Sequence, residues 1–118
     1  VIVIIIADII TGRITKNMVI EMTNKLEGLK EIINKEESNE KEISNKIRDI
    51  KNTWEDENKT LSYYIEHDEL EKVETELNSL IGLSKDRDIE EELATIQRAE
   101  FILEHISEKY KLSLNNFF

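Results

Sequence analysis

Tyr63-Tyr64-Ile65-Glu66-His67-Asp68-Glu69-Leu70 decides how this chain folds. Upstream of it, Ile43, Ile47, Ile50 and Trp54 recur at intervals of four, three and four residues, and Leu61 continues the series. Downstream, Leu70, Val73, Leu77, Leu80 and Ile81 repeat the same period. That spacing puts each set on one stripe of a helix, so two amphipathic helices are expected, with the chain reversing between them. The upstream helix is expected from about Glu40 to Ile65. A break near Asn58 is an alternative, since the stripe has no apolar residue there. Asp68 with Glu71 three residues on reads as a capping box that opens the downstream helix. Gly82 suits its end, where a left-handed backbone is often needed.

Working outward, Ile14, Met18, Met22, Leu26, Leu29 and Ile33 form an earlier stripe of the same kind. It stops in the polar run Asn34-Lys35-Glu36-Glu37-Ser38-Asn39. Asn39, with Glu42 three residues on, reads as the next helix's N-cap. After a turn at Ser84-Lys85-Asp86-Arg87-Asp88, capped by Asp86 or Asp88, a last helix carries Ile89, Leu93, Ile96, Ala99, Leu103, Ile106 and Tyr110. Phe101 and Ile102 are expected to widen its apolar face. Leu112, Leu114, Phe117 and Phe118 should dock across one end of the core. Short turns make consecutive helices antiparallel neighbours. The expected fold is all-α: an up-down bundle of about four helices over residues 14–118, following the end of a membrane anchor at residues 1–13.

That anchor is read from Val1-Ile2-Val3-Ile4-Ile5-Ile6-Ala7-Asp8-Ile9-Ile10, the most apolar run in the chain. Spanning a bilayer takes about 20 apolar residues, so ten would be the end of a longer span, continuous with the first helix. A buried strand is the alternative, because Val and Ile favour strands. A signal-peptide remnant is a third, against which no Ala-x-Ala pattern is present. Asp8 would lie near the interface, with Arg13 and Lys16 just outside the hydrocarbon.

Composition narrows the function. The 118 residues suffice for one modest core, and the absence of Pro with only three Gly favours long helices. The net charge of −10 argues against nucleic acid, whose phosphates need a basic surface. With no Cys, disulfide and thiolate chemistry are excluded. No Gly-x-Ser-x-Gly or Gly-rich phosphate loop is present, so no enzyme activity and no cofactor are expected.

Two constellations remain. Trp54, Tyr63, Tyr64, His67 and Glu69 could form a partner- or ligand-binding patch beside the acidic run from Glu66 to Glu76. Alternatively, Trp54, Leu61 and Ile65 share helical spacing and face the core. His67 with Glu71, and His105 with Glu108, are His–carboxylate pairs at helical spacing, which could hold Zn²⁺ if the helices brought them together. The Glu-x-x-His signature of di-metal bundles is absent, because Tyr64 and Ile102 stand where the Glu would be.

Trp54, the stretch from Leu61 to Glu74 with its Ile65/His67/Glu69 element, and Leu103-Glu104-His105-Ile106 followed by Leu112 to Phe117 together resemble a known family. It comprises small proteins of spore-forming Gram-positive bacteria and is described only as a domain of unknown function. The resemblance covers nearly the whole chain. It implies one N-terminal membrane helix, a helical domain of this size, and association with other small membrane proteins. It brings no catalytic residue. The chain departs from the family pattern in its shortened anchor.

The expectation is a non-catalytic, single-pass, membrane-anchored interaction module, an accessory subunit whose partner is itself a membrane protein. The alternative is an extracytoplasmic sensor or metal-binding bundle. An N-terminal anchor favours an extracytoplasmic domain, whereas Arg13 and Lys16 favour the opposite orientation.

Overall fold

The structure, a computed structural model, describes residues 1–35 and 39–115, the last four of these as backbone. Within them the chain forms four helices: α1 (Ile2–Asn34), α2 (Glu40–Leu61), α3 (His67–Asp86) and α4 (Ile89–Asn115). Each packs on two neighbours, α1 on α2 and α4, and α3 on α2 and α4. Lys25 meets Asp49, Lys51 meets Asn78, and Glu76 meets Arg98, so each consecutive pair runs antiparallel. This is the expected up-down bundle.

The stripes form its core. Met18, Met22, Leu26, Leu29 and Ile33 from α1 are buried against Ile43, Ile47, Ile50, Trp54 and Leu61 from α2. Leu70, Val73, Leu77 and Leu80 from α3, with Ile96, Ala99, Leu103 and Ile106 from α4, complete it. Each fully buried aliphatic side chain stabilises the fold by about 1.5–3 kcal/mol relative to exposure. The starts of α2 and α4 are capped as the spacing implied. Asn39 Oδ1 accepts from the Glu42 N–H at 2.6 Å, and Asp88 Oδ1 accepts from the Glu91 N–H at 3.2 Å.

Four boundary expectations are corrected. α2 ends at Leu61 rather than Ile65, and it runs unbroken through Asn58. Ile65 is still buried, because a tight turn brings its N–H back to the Leu61 carbonyl at 2.9 Å. α3 starts at His67, ahead of Asp68, which lies in its first turn and is not its cap. Gly82 does not end α3, since the helix continues to Asp86. The left-handed residue that ends it is Arg87, at φ 55° and ψ 43°.

On α4 the expected stripe of Ile96, Ala99, Leu103 and Ile106 is buried and Ile102 packs beside it, but one flank and the N-terminal end differ from expectation. Phe101 does not widen the core face; it is 70% exposed. The buried stripe instead runs back from Ile96 to Glu92, which is fully buried beside Thr95. Neither Glu92 carboxyl oxygen has a hydrogen-bond partner among the described residues. Burial pushes this carboxyl up from its ordinary value, and the charge of Arg87 only partly opposes the shift.

The apolar N-terminal run is helical, which overturns the strand reading. α1 is continuous from Ile2 to the core and measures about 50 Å, against about 33 Å for α2. The molecule accordingly extends 55 Å along its long axis and 21 and 19 Å across it. The α2–α3 turn lies beside Thr15, and the turns of α1 that precede Thr15 run past it. Val1, Ile2, Val3, Ile4 and Ile6 are exposed there, while Ile5, Asp8 and Ile9 are half-buried along one side of the helix. No described helix is long and apolar enough to cross a membrane, so a membrane-spanning helix is not part of the fold seen here. Residues 36–38 of the expected polar turn, the side chains of Leu112 and Leu114, and the tail residues Phe117 and Phe118 lie outside the described residues.

Candidate functional site

The reversal between α2 and α3 is built from three stacked turns. Leu61 O accepts from the Tyr64 and Ile65 N–H groups at 3.1 and 2.9 Å, and Thr60 O accepts from Tyr63 N–H at 3.3 Å. Ile65 is drawn into the core as a plug, and that choice sets its neighbours. Tyr63 points outward and is 89% exposed. Tyr64 is half-buried against α1, its hydroxyl 3.4 Å from Thr15 Oγ1, which itself donates to the Thr11 carbonyl at 2.7 Å. Burial pushes the Tyr64 phenol up from its ordinary value.

Beyond the plug, α3 begins with an orphan N–H, as every helix does. The Glu66 N–H donates to the Tyr110 hydroxyl of α4 at 3.0 Å. Asp68 and Glu69 then place negative charge in the first turn, where the helix dipole favours it. Glu69 is buried. Its Oε1 accepts from Lys109 Nζ at 3.0 Å and lies 3.9 Å from His105 Nε2. Lys109 also reaches Glu66 at 3.5 Å and sits 5.9 Å from the centre of the Tyr110 ring. The hydrogen bond to Glu69 raises the Lys109 ammonium above its ordinary value.

The sequence-derived residues divide accordingly. Trp54 is buried, and it is a core residue as its spacing with Leu61 and Ile65 implies. Tyr63 on the turn and His67 at the start of α3 are both exposed, with His67 Nε2 3.8 Å from Glu71. Glu69 faces inward, and its partners are Lys109 and His105. His105 therefore pairs across helices with Glu69, whereas the helix-spaced pair with Glu108 was expected. Among the described residues no three His, Asp or Glu side chains converge to hold a metal ion. The pairs His67–Glu71 and His105–Glu108 are thus not joined into one Zn²⁺ site.

Lys109 and Tyr110 were missed. Their partners lie 40 and 44 residues away in the chain, and no spacing rule connects them. What the arrangement offers is an exposed edge carrying one aromatic, one imidazole and several carboxylates, held rigid from behind by the Glu69–Lys109–Tyr110 network.

The model of one protein family, described as "Domain of unknown function (DUF4363)", matches residues 9–117. Nothing among the curated proteins and no solved structure matches. The family match runs from the ninth residue, within α1, through the α2–α3 turn and α4, and the chain belongs to the DUF4363 family.

Proposed function

We propose that this protein is a non-catalytic interaction module, held at a membrane by the tip of α1 and presenting the α2–α3 turn to a membrane-protein partner. One observation carries the reading: α1 runs without a break from the core into the stretch from Val1 to Ile10, in which Asp8 is the one polar residue and Val1, Ile2, Val3, Ile4, Ile6 and Ile10 are exposed. A helix that is apolar on every side belongs in an apolar medium. The ten residues from Val1 to Ile10 cover about 15 Å, half of the roughly 30 Å hydrocarbon core. Asp8 is half-buried on the bundle-proximal side of that tip. Arg13 and Lys16 follow within two turns, where headgroups would meet them.

The position of the turn supports the second half of the proposal. Tyr64 touches Thr15, so Tyr63 and His67 stand at the same end of the bundle as the tip. A protein that engages them from the bilayer needs no long reach. Tyrosine is a frequent interface anchor, and the carboxylates around it steer a basic surface toward the site. Our reading puts the bundle on the extracytoplasmic side, which an N-terminal anchor favours.

The test is site-specific photocrosslinking in intact cells from position 63, with position 41 at the far end of α2 as control. Capture of one membrane protein from position 63 alone is expected, and it should be lost in His67→Ala. Equal capture from both positions, or no membrane protein from either, would overturn the reading.

A further inference from the structure

The groove between α2 and α3 at the end of the bundle away from the apolar tip has the opposite character to the rest of the surface. Its walls are Ser44, Arg48 and Lys51 from α2 and Ser84 and Lys85 from α3, and it encloses about 240 Å³. Ile47 and Ile81 form its floor. Acids outnumber cations 26 to 16 in this chain, yet no carboxylate lines the groove. Three other surface grooves each carry at least one: Glu76, Glu104 and Asp86 are among their walls.

The cations are placed to receive an anion. Lys51 Nζ is held by Asn78 Oδ1 at 2.8 Å and lies 3.5 Å from Glu74, so one of the three charges is partly matched. Arg48 and Lys85 are exposed, and no ion pair among the described residues involves either. Ser84 Oγ already donates to the Ile81 carbonyl at 2.8 Å, which leaves the Ser44 hydroxyl to donate into the groove. A guanidinium fork and a hydroxyl on successive turns of α2, with an ammonium across from them on α3, suit a tetrahedral oxyanion, which takes charge-assisted hydrogen bonds from each.

We propose that the Ser44–Arg48–Lys85 groove is a binding site for a phosphate group, free or carried on a small molecule. Along the bundle axis the groove is level with Lys25 of α1, which pairs with Asp49, the neighbour of Arg48 in α2. That is about 15 residues or more from Ile10, or over about 20 Å along the helix, so the headgroups around the tip do not reach it. Its size admits one phosphoryl group and a short stem, which would lie over Ile47 and Ile81. It does not extend into the long basic track that a nucleic-acid backbone needs.

The experiment is a titration of the ¹⁵N-labelled 118-residue chain followed by NMR, with total ionic strength held constant by sodium chloride. The probes are inorganic phosphate, glycerol phosphate and a hexaglutamate peptide. Saturable shifts at Ser44, Arg48, Ser84 and Lys85 with phosphate or its ester are expected. Arg48→Gln/Lys85→Gln, two exposed positions that leave the core untouched, should weaken binding at least about tenfold. Equal affinity for the two phosphates identifies the free ion as ligand, and tighter binding of the ester identifies a phosphorylated small molecule. Linear shifts that chloride reproduces, unchanged affinity in the double variant, or saturation by the peptide but not by either phosphate would each overturn the proposal.

Discussion

The Tyr110 hydroxyl accepts a hydrogen bond from the Glu66 N–H at 3.0 Å, so the end of α4 caps the start of α3 across 44 residues of chain. Glu66 has no side-chain cap of its own. Tyr110→Phe removes this acceptor and should destabilise the bundle by about 0.5–2 kcal/mol, the usual cost of losing a cap. Urea denaturation followed by circular dichroism measures it. An unchanged midpoint would mean that water caps Glu66 equally well.

Glu69 is buried at the same junction with Lys109 as its close cation. Lys109→Met should therefore destabilise the chain by stranding the carboxylate, since an unpaired buried charge costs more than the pair contributes. Glu69→Gln in the same chain should recover part of the loss. Two additive losses in the double-mutant cycle would show that the residues do not act as a pair.

Trp54 fills the middle of the core, yet its Nε1 has no hydrogen-bond partner among the described residues. Trp54→Ala should cost about 3–5 kcal/mol. Trp54→Phe should cost clearly less, because it keeps a large ring and removes a buried donor that gains nothing. Thermal melts of the two variants give the comparison, and equal losses would show that the indole N–H is satisfied.

Glu92 contributes to the pH response of the fold. Burial raises its folded-state pKa above the ordinary 4.5, as it also raises those of Glu57 and Glu100. Such a group binds its proton more tightly in the folded than in the unfolded chain. The stability it contributes is therefore full below 4.5 and is lost as pH rises through the raised folded value. Glu92→Leu should weaken that dependence and, at pH 7, stabilise the bundle by about 1–3 kcal/mol. Melting temperatures from pH 4 to 8 test this, and a variant curve parallel to that of the parent chain would contradict it.

Most of the fold was legible because the core repeats at helical spacing, and burial follows Met18-Met22-Leu26-Leu29-Ile33 and Ile43-Ile47-Ile50-Trp54 residue by residue. The errors fall where a local rule met a tertiary demand. Leu61 and Ile65 both had to be buried, and a turn achieves that as well as another turn of helix. Gly82 had the residue type for a helix end, but Arg87 had the position, one residue ahead of the Asp88 cap. Glu92 looked like solvent-facing charge. The signal that finds it is the spacing of Ile106, Leu103, Ala99 and Ile96, which steps back by four onto residue 92. Within the candidate site, the exposed Tyr63 and His67 could be chosen from sequence, but the network behind them could not. Lys109 and Tyr110 meet α3 only once the bundle has closed.

Attachment by the tip of α1 is tested most directly by flotation of the 118-residue chain with phospholipid vesicles on a density gradient. Wild-type chain is expected to float with the vesicles. A variant with Ile2, Ile4 and Ile6 replaced by Ser should stay at the bottom while melting at the same temperature, since these side chains are exposed and outside the core. Wild-type chain left at the bottom, or a variant that floats equally well, would contradict the role given to the tip.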